Sequence, residues 1–424
     1  MMQFSIIARH GSGESVMTWS IQGATLLTPE KVVEKGNVLI SGDEISEVSS
    51  RSVKSEFQLD ASGCVLSPGI INAHDHLLGN YWPKVGNGPY ENWLPWDNDL
   101  KSADVYRERQ QVENRDLYLL AAYKNLISGV TTVSDLMPHF VTDMYADILP
   151  TKVITEYALA HSVASFALNW GDGITVEHQK AVDGDLPFVT HCSEGFDEET
   201  RRDVRTLERL GALDEYSVLV HGLSFSKDDI DLIKKKDAHV VWCPDSNLFM
   251  YNKTTDIKYL LEKGVNVSLG TDSPMSGGLN ILFEMKVAKK HYKKEYGIDL
   301  PDKQLVRMVT SNPAKAFRMK NSGSLEAGKR ADLVLFDGKG RDPYESIVSA
   351  QLRDIKLVII DGSPVYGCAE YAGLFDGQGI RYQKVTIDGA DKVIVGDLIG
   401  LMKRISRAVG FKKEFPFMPV TFDI

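Results

Sequence analysis

From residue 65 to about residue 316, short apolar runs alternate with segments of helical period. The runs fall at 130–133, 153–159, 188–190, 218–220, 240–242 and 265–269, and the helix-period segments include 113–126, 198–210 and 227–236. Such alternation predicts βα units on a parallel sheet. About 250 residues of it is the size of a (β/α)8 barrel, which makes the expected class α/β. The chain ends read differently. Residues 16–22, 37–41 and 44–48 are short β runs broken by Gly23, Gly36 and Gly42, and strands return at 331–336, 355–360 and 383–387. Both termini are therefore expected to build one small β module flanking the barrel. The expected division is 1–66, 67–324 and 325–424. Between Thr151 and Pro187 the chain is short for two full βα units, so a degenerate fourth strand or a truncated helix is expected there. The segment after Gly367 has no assigned role.

Within the barrel segment, one run ends in His74-Asp75-His76. On a strand, residues two apart share a face, so His74 and His76 project together while Asp75 points away. Two neutral imidazoles so placed can chelate one divalent metal. Three further runs end in a metal-binding type: His191, His221 and Asp272. In a parallel barrel all strand C-termini meet on one face, where active sites lie, so these side chains are expected to converge.

These motifs are similar to those of the amidohydrolase superfamily, and within it the mononuclear cytosine deaminase-like branch, which includes S-adenosylhomocysteine, guanine and chlorohydrolase-type enzymes. The matching pieces are Pro68-Gly-Ile-Ile-Asn-Ala-His74-Asp-His76, Thr190-His191-Cys-Ser-Glu194, His221-Gly, Trp242-Cys-Pro-Asp-Ser-Asn247, Gly270-Thr-Asp272-Ser and Gly328-Lys-Arg-Ala-Asp-Leu. They lie in family order over most of the chain. The resemblance implies a distorted (β/α)8 TIM barrel with a small β-sandwich made from both termini. It also implies that His74, His76, His191 and Asp272 hold a single Zn2+ or Fe2+, with Zn2+ the first expectation. By the same resemblance Glu194 is the proton-shuttling acid/base, and His221 bonds the attacking water or the tetrahedral intermediate. Chemistry agrees with these roles. A metal so held lowers the pKa of bound water to about 7, Asp272 can take the water proton, Glu194 can protonate a substrate ring nitrogen, and His221 can stabilise developing charge.

Weaker signals surround that set. Trp82, Trp93 and Trp96 crowd the loop after His76, as a substrate lid or as ordinary loop packing. His161 is expected to face the pocket from strand three, and Asp135 reads as a helix cap more than a pocket residue. The binuclear branches carry a carbamylated lysine at the end of strand four. Here the nearest lysine, Lys152, begins its run instead, so the centre is read as mononuclear. No arginine occurs between Arg115 and Arg201, which leaves strands two to four without a bidentate clamp for a substrate carboxylate. Residues 323–330 nearly spell a phosphate loop, but Arg330 replaces the required Ser/Thr, and the stretch reads as a turn. Cys192 is read as packing, and His10, His139, His178, His239 and His291 as surface or core residues.

Composition narrows the remainder. The chain has 424 residues, a formal charge of −10 and 43% hydrophobic residues. An acidic balance gives no electrostatic footprint for nucleic acid. No run of about 18 apolar residues predicts a membrane helix. The N-terminus lacks the features of a secretory signal, and four cysteines without a CxxC pair fit a reduced, cytoplasmic protein. The expected partner is a small-molecule substrate, with homo-oligomerisation left open. The expected function is a metal-dependent aminohydrolase that deaminates an amino-substituted heterocycle by attack of metal-bound hydroxide, releasing ammonia. The alternatives are a hydrolase of a cyclic amide, lactam or halide on the same scaffold, and a catalytically silent scaffold relative.

Overall fold

The computed structural model describes residues 17–422. Strands β1 (Thr18–Leu27), β2 (Val32–Ser41), β3 (Glu44–Ser49), β4 (Phe57–Asp60) and β5 (Cys64–Pro68) come first. Eight parallel strands follow. They are β6 (Ile70–Asp75), β7 (Val130–Asp135), β8 (Lys152–Val153), β9 (Ala158–Ser162), β10 (Phe188–Cys192), β11 (Ser217–His221), β12 (His239–Trp242) and β13 (Asn266–Leu269). The chain ends with β14 (Leu333–Asp337), β15 (Ile355–Ile360), β16 (Ser363–Cys368), β17 (Tyr382–Ile387), β18 (Ala390–Val395) and β19 (Val420–Thr421).

The two chain ends share one 11-stranded sheet, ordered β19-β17-β18-β16-β15-β14-β5-β1-β2-β3 with β4 beside β1. Its seam is the antiparallel pair β5–β14, which joins Leu66 to Leu335 across the intervening chain. Gly23 and Gly36 do not break strands as expected. Gly23 takes φ +75° at an irregularity in the β1–β2 register, so the strand kinks and continues. Gly42 does occupy a turn, between β2 and β3.

The parallel strands form two hydrogen-bonded arcs, β6-β7-β8 and β9-β10-β11-β12-β13. The arcs do not form one closed ladder. β13 meets β6 only at the isolated bridge Asp75–Asp272. At the other junction the expected strand 153–159 is split, because Thr155 and Glu156 turn outward to solvent. The third strand, β8, is therefore only 2 residues long. No helix separates it from β9, the fourth strand, which is complete and carries His161; that residue was expected on strand three. The helix after β9, Ile174–Gly184, is also full length.

Every residue of β7, β9, β10 and β11 is buried, as helices on the outside of a parallel sheet require. Leu159, Val189, Val220 and Val241 belong to a compact apolar cluster separate from the main core. His191 lies two residues beyond Val189, so the strand period carries it on the face set by that cluster, while an irregularity in the β9–β10 register pairs His191 with Ser162, the residue after His161. The segment after Gly367 extends the terminal sheet and adds the helix Leu398–Val409, whose Arg404 grips Asp116 on the helix Asn114–Ile127. Among the described residues no helix is long and apolar enough to cross a membrane.

Candidate active site

Five side chains meet where the parallel strands end. Ring centroids of His74 and His76 are 4.8 Å apart, and those of His74 and His191 5.0 Å. Asp272 Oδ1 lies 3.7 Å from His74 Nε2 and 3.5 Å from His76 Nε2. His221 completes the group, 5.4 Å from His191 between ring centroids. Nitrogens of His74, His76 and His191 all lie within 4.8 Å of one another, as do ligand atoms of His191, Glu194 and His221.

Backbone geometry brings these groups so close. Asp272 N–H donates to the His74 carbonyl at 3.1 Å, which ties the two strand ends together. Gly270 permits that approach, since a Cβ there would lie 2.6 Å from His74 Cβ. His221 and Asp272 hold positive φ of 77° and 54°, and Ser193 does likewise at 54°. Such strain persists only where surrounding contacts over-determine it.

Each functional side chain is aimed by a further contact. His191 Nδ1 bonds the His161 carbonyl at 2.6 Å, which leaves its Nε2 free toward the cluster. His221 Nδ1 meets Asn247 Oδ1 at 2.9 Å, and Asn247 is itself oriented by donating to Thr254. Glu194 Oε1 accepts from Tyr251 Oη at 3.0 Å and stands 3.7 Å from His221 Nε2. Asp272 Oδ2 accepts from Ser246 at 2.7 Å and Ser276 at 2.6 Å. Its two oxygens thus face opposite tasks.

Electrostatics follow from burial. Burial, with His76 alongside, pushes the His74 imidazole well below its ordinary pKa, and burial does the same to His191. Both are therefore neutral donors. Burial drives the Glu194 carboxyl upward, against the pull of His221. Asp272 goes the other way. Burial opposes its ionisation, but the facing His76 and the Ser276 donor outweigh it and hold the carboxyl low.

The donor set fits a divalent cation. Both ring nitrogens of His74 are buried without a partner among the described residues, although buried polar atoms are normally satisfied. Neutral imidazoles and one carboxylate around a single point are the ligands that Zn2+ takes.

Beneath the cluster lies a polar strut that sequence reasoning did not foresee. Asp75 and Lys124 are fully buried and paired at 2.8 Å. Asn125 and Asn80 also donate to Asp75, and Asn72 links this network to Thr271 by two bonds of 2.8 and 3.1 Å. Asp135 does not cap the following helix. It accepts the Leu77 N–H at 3.0 Å and so fixes the chain just after His76.

Of the three loop tryptophans, Trp93 alone faces a strand-end histidine, 4.9 Å from His161, and its Nε1 is buried without a partner among the described residues. Trp170 approaches His161 from another side at 4.7 Å, a neighbour the sequence did not single out. Burial takes His161 itself down to about 3, a neutral ring. Trp82 stacks on Tyr106, and Trp96 donates to the Val85 carbonyl, so both pack the loop. Lys152 is engaged by Asp332 and Asp361 beside the terminal sheet. Arg330 pairs with Asp43 and Asp361 in the turn expected there. Cys192, His178 and His239 are buried, whereas His10 lies outside the described residues.

Parallel strands that end in imidazoles and carboxylates brought together at one mouth define a class: TIM-barrel-like α/β enzymes that work at the C-terminal mouth. Residues 177–365 match the model of the amidohydrolase family. It is 26% identical over 420 residues to the 5-methylthioadenosine/S-adenosylhomocysteine deaminase of Pelotomaculum thermopropionicum, covering 81% of this chain and 92% of that protein. Two solved structures share the fold. Triazine hydrolase from Arthrobacter aurescens superposes with a TM-score of 0.73 at 18% identity, over 93% of this chain and 99% of that one. A zinc-bound adenosine deaminase from Xanthomonas campestris gives a TM-score of 0.69 at 20% identity, over 82% and 92%.

Proposed function

We propose that this chain is a mononuclear metal-dependent aminohydrolase that removes an exocyclic amine from a nitrogen heterocycle and releases ammonia. One juxtaposition supports the reading: Asp272 Oδ1 lies 3.7 Å from His74 Nε2 and 3.5 Å from His76 Nε2, nitrogens of His74, His76 and His191 lie within 4.8 Å of one another, and so do ligand atoms of His191, Glu194 and His221. His74, His76, His191 and Asp272 are the proposed ligands, for Zn2+ ahead of Fe2+. The ion, when bound, supplies Lewis acidity that makes water nucleophilic near neutral pH.

The chain's own groups handle the protons. Asp272 receives one from the nucleophilic water. Glu194, whose ionisation burial opposes, donates to a ring nitrogen, takes the hydroxyl proton of the tetrahedral intermediate as the carbonyl forms, and passes it to the departing amine. His221, with Nδ1 held by Asn247, presents Nε2 to hold the water in line. Trp93 and His161 form the wall against which a flat heterocycle would rest, and Trp82 and Trp96 shape the loop behind it.

The two arcs are read as one distorted eight-strand barrel, 67–324, flanked by a β-sandwich from 1–66 and 325–424. A cytoplasmic setting and a small-molecule substrate complete the reading. The test is a panel of 6-aminopurine nucleosides, aminopyrimidines, pterins and aminotriazines offered to zinc-loaded protein, with ammonia measured. Release from one heterocycle class, lost in Glu194→Gln, is expected. Turnover confined to lactams or ring halides would establish the alternative hydrolase, and no turnover with either set would favour the scaffold relative.

A further inference from the structure

Cys368 ends β16, and its direct cross-strand partner in β18 is Lys392. Lys392 is fully buried. Its amino group touches the Ile355 carbonyl at 2.5 Å, the Arg353 carbonyl at 3.1 Å and Cys368 Sγ at 3.2 Å. None of these neighbours is a carboxylate. A buried ammonium with no carboxylate in contact is costly, and of the three contacts only the sulfur is a nucleophile. Cys368 is also the half-buried cysteine, whereas Cys64, Cys192 and Cys243 are buried. Lys356 directly follows Ile355, whose carbonyl the Cys368 thiol meets at 3.8 Å, and adds a second positive charge nearby. Electropositive, partly exposed surroundings are those of reactive cysteines.

We propose that Cys368 is an oxidation site whose sulfenic acid is captured by the Lys392 amine, giving a sulfenamide cross-link between β16 and β18. The oxidant is a peroxide. In the first step the thiolate attacks one oxygen of hydrogen peroxide and the O–O bond breaks. Sulfur is oxidised to the sulfenic acid, and the departing hydroxide takes a proton from the Lys392 ammonium to leave as water. That same transfer frees the amine. In the second step the amine nitrogen attacks sulfur, an S–N bond replaces the S–O bond, and a second water departs. Sulfenic acids condense with nitrogen nucleophiles in this way. Burial weakens the hold of Lys392 on its proton, which helps keep the amine neutral once formed. The cross-strand register already places the two atoms in contact, so the link needs no change of pairing. The proposal is independent of the function assigned to the barrel.

The experiment treats full-length, zinc-loaded protein with hydrogen peroxide and maps peptides without reduction. The expected product joins the peptides holding residues 368 and 392, weighs two hydrogens less than their sum, and separates on thiol treatment. Dimedone present during oxidation should trap the sulfenic acid and suppress the link, a measurement that needs no variant. Cys368→Ser should abolish the product. Lys392→Arg should stop the link and leave Cys368 open to dimedone. A Cys368 that proceeds to sulfinic acid unlinked, that pairs with Cys64 as a disulfide, or that stays a thiol would overturn the proposal.

Discussion

Ser276 donates its hydroxyl proton to Asp272 Oδ2 at 2.6 Å, so the carboxylate turns only Oδ1 toward His76, 3.5 Å away. Ser246 adds a second donor to the same Oδ2. At the proposed metal site the two donors would restrict Asp272 to one-oxygen ligation. In Ser246→Ala/Ser276→Ala the freed oxygen is expected to join the coordination sphere, and activity or metal affinity should fall about 10–100-fold, the range for partners that orient ligands. Cobalt-substituted protein reads this directly, because a rise in coordination number weakens and shifts the visible absorption. An unchanged spectrum in the double variant would rule out this role.

The hydroxyl of Tyr251 stabilises ionised Glu194 and so opposes the upward push of burial. The working form in the proposed reaction is protonated Glu194. Activity should therefore decline as pH rises through the Glu194 pKa. Tyr251→Phe removes a donor to the charged form, raises that pKa, and moves the alkaline limb of kcat/KM to higher pH. A hydrogen bond to a charged group is worth about 1.5–3 kcal/mol, which sets the shift at about one pH unit or more. A limb that stays in place or moves downward would assign it to another group.

Glu194→Gln keeps the shape and one hydrogen-bonding oxygen but loses the transferable proton. About a 100- to 10,000-fold loss of kcat is expected, with metal content near that of the parent. Elemental analysis alongside kinetics separates the roles. Metal loss equal to activity loss would make Glu194 a ligand rather than a proton carrier.

Removing one partner of a fully buried ion pair leaves an uncompensated charge. Lys124→Met should thus destabilise the fold by about 3–5 kcal/mol in denaturant unfolding, whereas Lys124→Met/Asp75→Asn should recover much of that loss. If the single and double variants are equally unstable, the pair does not act as a unit.

The convergence of strand-end groups was legible because residue type and position coincided. An apolar run ending in His191, His221 or Asp272 carries its direction and its chemistry in the same few letters. What was hidden depended on contacts far apart in sequence or on exceptions to residue habit. Lysines are almost never fully buried, so nothing near Lys124 advertised its pairing with Asp75. Ser246 and Asn247 stood inside a recognised motif without an assigned task. Tyr251 follows Asn247 by four positions on one helix, a spacing that puts both on one face and could have linked them to the His221–Glu194 side. The split of 153–159 into β8 and β9 escaped notice because Thr155 and Glu156 are compatible with a strand until their outward turn is seen.

The far end of the chain reaches back to the entrance loop. Lys413 pairs with Glu108 at 2.5 Å, the Tyr81 hydroxyl donates to the same carboxylate, and Phe415 packs edge-on to Tyr81 at 5.5 Å. Tyr81 lies five residues past His76. Lys413 and Phe415 therefore brace the loop after His76, and a cut or fusion near position 410 would loosen that loop while sparing every proposed ligand.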